Sequence, residues 1–186
     1  MMDAKRAVSY LLSGNNVYSI LFYIIVIYVV VTYVALPSVY ALSPLDYISA
    51  VVSSSMVHSY PSIQLTYYDW LELHGYNMSA VSSWPFPGGI PLGSIALAYK
   101  VQPSQIDVGD VIIYRVEGTG EDIIHRVVNV TVVNGAYYYT TKGDANPYSL
   151  PFEYNIPYGN VVGKVGQVIP YLGYPKYLLY TITSYI

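Results

Sequence analysis

The hydrophobic positions fall into two textures. From Val17 to Leu36 (VYSILFYIIVIYVVVTYVAL) 20 residues run without a charge. The stretch is apolar on every face, and at about 1.5 Å per residue it is long enough to cross a hydrocarbon core of about 30 Å. After Pro37 the pattern changes to short β-type runs broken by Gly, Pro, Asp and Asn. Candidate strands are 47–53, 110–116, 122–133, 136–142 and 159–169. Asn134-Gly135, between the third and fourth, is the pair that favours a type I′ turn, so those two strands are expected to form an antiparallel hairpin. The segment 60–107 differs. It carries Trp70, Trp84 and the run Trp84-Pro85-Phe86-Pro87-Gly88-Gly89, which cannot continue a helix or a central strand. It reads as an excursion over one face of the sheet.

The expected architecture is therefore mostly β, with an N-terminal transmembrane helix followed by an external β domain. Residues 1–16 form a cytoplasmic N-terminus, 17–36 the anchor, 37–170 the external domain with its excursion at 60–107, and 171–186 an apolar tail. Pro170, Pro175 and Lys176 interrupt that tail, which suits it to lie against the domain or in the membrane interface. Orientation comes from Lys5 and Arg6, which precede the span, while no Lys or Arg follows until Lys100; the positive-inside bias then puts the amino terminus in the cytoplasm. A cleavable leader is the competing reading, because Val39-Tyr40-Ala41 offers small residues at the spacing cleavage prefers. Such leaders usually carry an apolar run of only ~7–15 residues, so retention is favoured. Asn77-Met78-Ser79 and Asn129-Val130-Thr131 are glycosylation triplets compatible with an external domain.

Composition narrows the chemistry. Charged residues are 10% of the chain and the net charge is −3, against roughly 25% charged residues in ordinary soluble proteins. No basic field is present to hold nucleic acid. There are no cysteines, which removes disulfides, thiolate metal sites and cysteine nucleophiles together. Tyrosine occurs 24 times against 3 phenylalanines and reads mainly as a packing aromatic that keeps a polar tip.

Nucleophilic catalysis needs a hydroxyl beside a base, with donors aimed at the developing oxyanion. Four segments matter together. In Val51-Val52-Ser53-Ser54-Ser55-Met56 a β run ends in three serines. Val108-Gly109-Asp110-Val111-Ile112-Ile113-Tyr114 follows after the excursion. Ile123-Ile124-His125-Arg126-Val127-Val128 sets an imidazole in a β-branched strand, and Thr141-Lys142-Gly143-Asp144-Ala145-Asn146-Pro147 puts an acid in the turn after a strand. Each alone has a bland reading as a strand end, a packed core histidine or a β-turn.

Taken in order, these segments resemble the conserved boxes of type I signal peptidases, especially the archaeal and endoplasmic-reticulum branch with its Ser-His pair. That family has a Ser-Gly-Ser-Met-type box after an anchor, then Gly-Asp-Val/Ile, Ile-x-His-Arg and Gly-Asp-Asn-Asn boxes. Val161-Val162-Gly163-Lys164-Val165 and Ile169-Pro170-Tyr171-Leu172-Gly173-Tyr174 are similar to its closing segments. The resemblance implies Ser55 as nucleophile, His125 as general base, Asp144 as the acid supporting the imidazole, and the Ser53 hydroxyl with the Ser55 N–H as oxyanion donors. It implies a serine endopeptidase that removes signal peptides from secretory preproteins during or after translocation, through an acyl-enzyme and without metal or cofactor. Its partners would be preprotein signal peptides, the lipid bilayer and the translocation machinery.

Three departures stand out. The serine box usually reads Ser-Met-Glu/Gln-Pro, whereas here Met56 is followed by Val57-His58. The excursion delays the second box. The family's second Asp, within about six residues of its last box, has no counterpart at Ser149 or Leu150, which leaves Glu153 as the candidate second acid. His58 and Lys142 are weaker candidates for the base. An inactive, membrane-tethered β domain of the cell envelope and a self-processing serine peptidase are the competing functions.

Overall fold

The computed structural model describes residues 9–13, 16–38, 45–58 and 61–183. Lys5, Arg6 and the Val39-Tyr40-Ala41 triplet lie outside the described residues. The chain divides after Pro44 into two compact units, each taken by itself below.

The first unit is dominated by helix α1, Val17–Ser38, of 22 residues. Asn16 caps it, its Oδ1 accepting from the Ser19 N–H at 2.9 Å, and a wider π-type turn occupies Val31–Ala35. Among the described residues α1 is the one helix long and apolar enough to cross a membrane.

The second unit is built on a seven-stranded sheet of β1 (Tyr47–Ala50), β2 (Ile95–Tyr99), β3 (Val111–Arg115), β4 (Asp122–Val133), β5 (Ala136–Lys142), β6 (Ile156–Pro157) and β7 (Val161–Ile169). In space the order is β1-β2-β7-β3-β4-β5-β6, and every neighbouring pair is antiparallel. The β4–β5 hairpin closes on Asn134 and Gly135, whose φ of 51° and 82° are the two left-handed residues of a type I′ turn. A bulge between Val127 and Asn129 shifts the β4–β5 register. The fold is mostly β, as the alternating runs imply.

The excursion differs from expectation in two ways. It contains a sheet strand, β2, whose sequence Ile-Ala-Leu-Ala-Tyr is buried from Ile95 to Ala98. Fully covered strands show no polar alternation, and alanine has little β-propensity, so periodicity does not announce it. The excursion also contains helices α2 (Pro61–Leu73) and α3 (Met78–Val81). Tyr67 and Leu71, one turn apart on α2, are buried with Val81 and pack against Tyr68, Trp70, Tyr76 and Trp84. This aromatic layer is fastened to the sheet by the Tyr76 hydroxyl, which donates to the Val128 carbonyl.

The tail also differs. It forms helix α4, Tyr174–Thr183. Pro175, expected to interrupt the segment, falls in the first turn of α4, where a missing N–H removes no helical hydrogen bond.

Candidate active site

Alternation along β4 sends His125 and Arg126 to opposite faces of the sheet. Residues paired across an antiparallel ladder share a face, so Lys142, opposite Arg126, lies on the Arg126 side, and Thr141, opposite Val127, lies on the His125 side. The two boxes therefore build two different constellations back to back.

On the His125 face, β1 runs out through Val51 and Val52 into a turn at 53–57, closed by the Val57 N–H donating to the Ser54 carbonyl at 3.0 Å. Ser55 sits in this turn and is fixed from outside by the Ala145 N–H, which donates to the Ser55 carbonyl at 2.7 Å. The next residue, Met56, is 1% exposed; its carbonyl accepts from the Ile90 N–H at 2.6 Å. These ties place Ser55 Oγ 2.9 Å from His125 Nε2. Ser53 Oγ is 3.0 Å from Ser55 Oγ.

Behind the imidazole, His125 Nδ1 lies 2.5 Å from Glu153 Oε1. Glu153 is fully buried and held at both oxygens: Oε1 also accepts from the Thr141 hydroxyl at 3.3 Å, and Oε2 accepts from the Leu150 N–H at 2.6 Å. The 3₁₀ turn Pro151–Glu153 supplies this geometry, and the Ser149 hydroxyl ties its approach to β5 by donating to the Thr141 carbonyl at 2.7 Å. Ser55, His125 and Glu153 thus form a hydrogen-bonded line. The candidate second acid stands where the sequence reading expected Asp144.

Asp144 lies on the other constellation. Arg126 Nε and Nη2 donate to its two oxygens at 2.9 and 2.7 Å. The remaining guanidinium donors go to the carbonyls of Pro85 and Gly109, at 2.7 and 2.8 Å, and of Phe86, at 3.1 Å. All five donors of a fully buried arginine are thereby used. The Pro-rich run of the excursion supplies two of those carbonyls, those of Pro85 and Phe86. His58 Nε2 lies 3.1 Å from Asp144 Oδ2, with its ring against Tyr67 at 4.5 Å between centroids. Burial works against ionising Asp144, but Arg126 and His58 outweigh it and hold the carboxyl below its ordinary range. Asp144 does not orient the imidazole directly. It anchors the 143–146 turn, whose Gly143 packs so closely on His125 Nε2 that an added Cβ would meet it at 2.8 Å.

Gly109-Asp110 is structural. Gly109 has φ 101°, and a Cβ there would meet the Trp84 ring at 2.5 Å. Asp110 Oδ2 pairs with Lys164 Nζ at 2.7 Å and accepts from the Asp107 N–H at 2.8 Å. Lys142, the alternative base, points away from Ser55. Its Nζ donates to the Gly143 carbonyl at 2.9 Å and lies 5.1 Å from the Trp70 ring centroid.

Ser53, Ser55 and His125 line a cleft of about 400 Å³ with Ala50, Val52, Ile124, Leu150, Phe152 and Tyr180. Its apolar lining suits an extended peptide with small or apolar side chains. Among the described residues no group of His, Asp and Glu is arranged to hold a metal ion.

The buried ion pair of Arg126 and the place of Tyr180 in the cleft lining were not read from the sequence. The His-Arg dipeptide in a strand carried a signal for the first, since neighbours on a strand must face opposite ways. Nothing local marks the second.

No family model matches the chain. Over 93 residues it is 31% identical to the signal peptidase complex catalytic subunit SEC11 of Yarrowia lipolytica (strain CLIB 122 / E 150). The match takes in 47% of this chain and 54% of that protein, so the chain spans about half the length of the curated relative it matches. This likeness supports the resemblance, drawn from the ordered boxes, to type I signal peptidases of the eukaryotic and archaeal type.

Proposed function

We propose that this chain is a membrane-anchored serine endopeptidase that removes signal peptides from preproteins during or after translocation, with Ser55, His125 and Glu153 as its catalytic line. The observation that carries the reading is the pair of contacts on His125: Ser55 Oγ at 2.9 Å from Nε2 and Glu153 Oε1 at 2.5 Å from Nδ1. With Nδ1–H donated to Glu153, the imidazole keeps its Nε2 lone pair for the serine proton. Ser55 Oγ attacks the scissile carbonyl as His125 takes that proton, and the carbonyl oxygen becomes an oxyanion facing the Ser55 N–H and the Ser53 hydroxyl. Collapse breaks the C–N bond while His125 Nε2–H protonates the leaving amine. Water then repeats the sequence on the acyl-enzyme and returns the proton to Ser55. Glu153 stabilises the imidazolium formed at each stage, and Asp144 holds the turn on which Ser55 rests.

Helix α1 would tether this site to the bilayer, with the amino terminus in the cytoplasm and the β domain outside, beside the translocation machinery. A tethered protease reaches bonds presented near the membrane, which suits preprotein cleavage sites with small residues. The test is cleavage of a preprotein in proteoliposomes by the wild type, Ser55→Ala and His125→Ala. Both variants should lose activity by roughly 10³-fold or more. Substantial activity in either would overturn the assignment.

A further inference from the structure

The tail helix α4 reaches the cleft that holds Ser55 and His125. Its start is locked to the β1–β2 side of the sheet: the Gly173 N–H donates to the Gly93 carbonyl at 2.8 Å. The Tyr174 ring lies so close over Gly93 that an added Cβ would meet it at 2.7 Å. Tyr171 stacks on Tyr174 at 6.1 Å, and Tyr177 meets Tyr174 edge-on at 5.8 Å. One turn further on, Tyr180 lines the cleft together with Ala50, Val52, Ile124, Leu150 and Phe152. On the β4 wall of the cleft, Asp122 is held below the ordinary carboxylate range. Partial burial opposes its ionisation, while Arg115, the Tyr47 hydroxyl and, more weakly, the Lys176 ammonium of α4 outweigh that.

Helix α4 buries none of its own side chains, so core packing does not account for where it lies. Its start is fixed at Gly93, and Tyr180 lies along the cleft. Tyr180 is 54% exposed and forms part of the wall of a cleft whose lining mixes apolar residues with Ser49, Asp122 and Asn146, so its ring occupies space at the rim that a substrate side chain would otherwise take.

We propose that α4 is part of the substrate site and that Tyr180 is a specificity-determining residue, excluding bulky apolar side chains from the cleft beside Ser55. The proposal rests on the peptidase reading of that cleft and adds to it a size filter supplied by the tail. The phenol ring supplies bulk, and its hydroxyl keeps the ring edge compatible with water when the cleft is empty.

The experiment uses the full chain in detergent micelles and two otherwise identical peptides, one with Ala and one with Leu next to the scissile bond. Cleavage gives the Leu/Ala ratio of kcat/KM, and binding to the Ser55→Ala protein gives the same ratio as affinities without any turnover. Tyr180→Ala should raise both ratios by roughly ten- to a hundredfold, the range that one or a few methylenes command in an apolar pocket. Tyr180→Phe should keep the wild-type ratios, since bulk is what it retains. Leu179→Ala, next to it on the same helix but outside the cleft lining, should also keep them. Ratios that move less than about twofold in Tyr180→Ala, or that move equally in Leu179→Ala, would overturn the proposal. Failure of the parent reading looks different: the wild type would leave both peptides intact, while the binding ratios would still decide the role of Tyr180.

Discussion

Glu153 and Asp144 are two buried carboxylates, one against His125 and the other against His58 and Arg126, and their partners assign them different work. Glu153 faces His125 Nδ1, so Glu153→Gln should lower kcat on the order of 10³- to 10⁴-fold, by removing the charge that stabilises the imidazolium, with KM little changed. Asp144 instead neutralises a buried arginine. Asp144→Asn leaves Arg126 charged and unpaired, and should cost about 3–5 kcal/mol of stability in urea unfolding. Because the folded carboxyl is held below its ordinary value of 3.8, its stabilisation is complete above that pH and is lost as the pH falls through the lower folded value. Lys142 runs the other way. Burial lowers its pKa from 10.5 to about 8, against the pull of Asp144 and Glu153, so between those values the unfolded chain binds more protons and stability rises with pH. Below pH 8 the fold carries a constant penalty. Lys142→Met should therefore be more stable at pH 7, on the order of 1–2 kcal/mol after allowing for its lost hydrogen bond. It should also lack the wild type's gain between pH 8 and 10, which thermal melts across that range would reveal. Ser55, His125 and Ser53 were legible in the sequence because the boxes carry them in order. The division of labour between the acids was not, because it depends on which face of β4 and β5 each partner occupies, and the bulge after Val127 sets that register.

At the scale of elements, the β4–β5 hairpin could be read from Asn134-Gly135, since a two-residue turn with two positive φ values demands that chemistry. The strand β2 and helix α2 could not. A short buried run of Ile, Ala and Leu has no period to distinguish strand from helix, and α2 has only a modest apolar stripe, centred on Tyr67 and Leu71. Its aromatic layer covers the Arg126–Asp144 pair, with the Arg126 guanidinium 5.8 Å from the Tyr67 ring centroid and 5.9 Å from that of Trp84. Glycines on the two kinds of element should respond differently. Gly135, with φ 82°, has open space around an added Cβ, so Gly135→Ala should cost about 1 kcal/mol from backbone conformation alone. Gly109 has positive φ as well as the Trp84 ring at 2.5 Å from such a Cβ. Gly109→Ala should cost at least twice as much and also displace a carbonyl that Arg126 uses. Urea denaturation of the two variants, with Trp fluorescence as the probe, measures both effects. Equal costs would mean that the Trp84 layer yields freely and is not part of the packed unit.

For the molecule as a whole, the division after Pro44 separates an apolar helix from a domain whose cores, sheet and candidate site all lie in residues 45–186. If α1 serves as a tether, its contribution to catalysis is one of concentration: an anchored site and an inserted substrate share a thin layer, where a short flexible link gives effective concentrations of about a millimolar. The chemistry at Ser55 is untouched by that term. A chain beginning at Leu45 should thus fold, and it should cleave a short soluble peptide with kcat/KM within about threefold of the full chain in detergent. On a preprotein inserted in vesicles the same truncated chain should be slower by roughly 10²-fold or more at nanomolar enzyme. Fusing an unrelated apolar helix of 20 or so residues, long enough for the bilayer, should restore most of the loss. Equal loss on the peptide and the preprotein would instead make α1 a structural part of the active domain, and failure of the unrelated helix to rescue would mean that α1 is recognised by sequence rather than used as a tether.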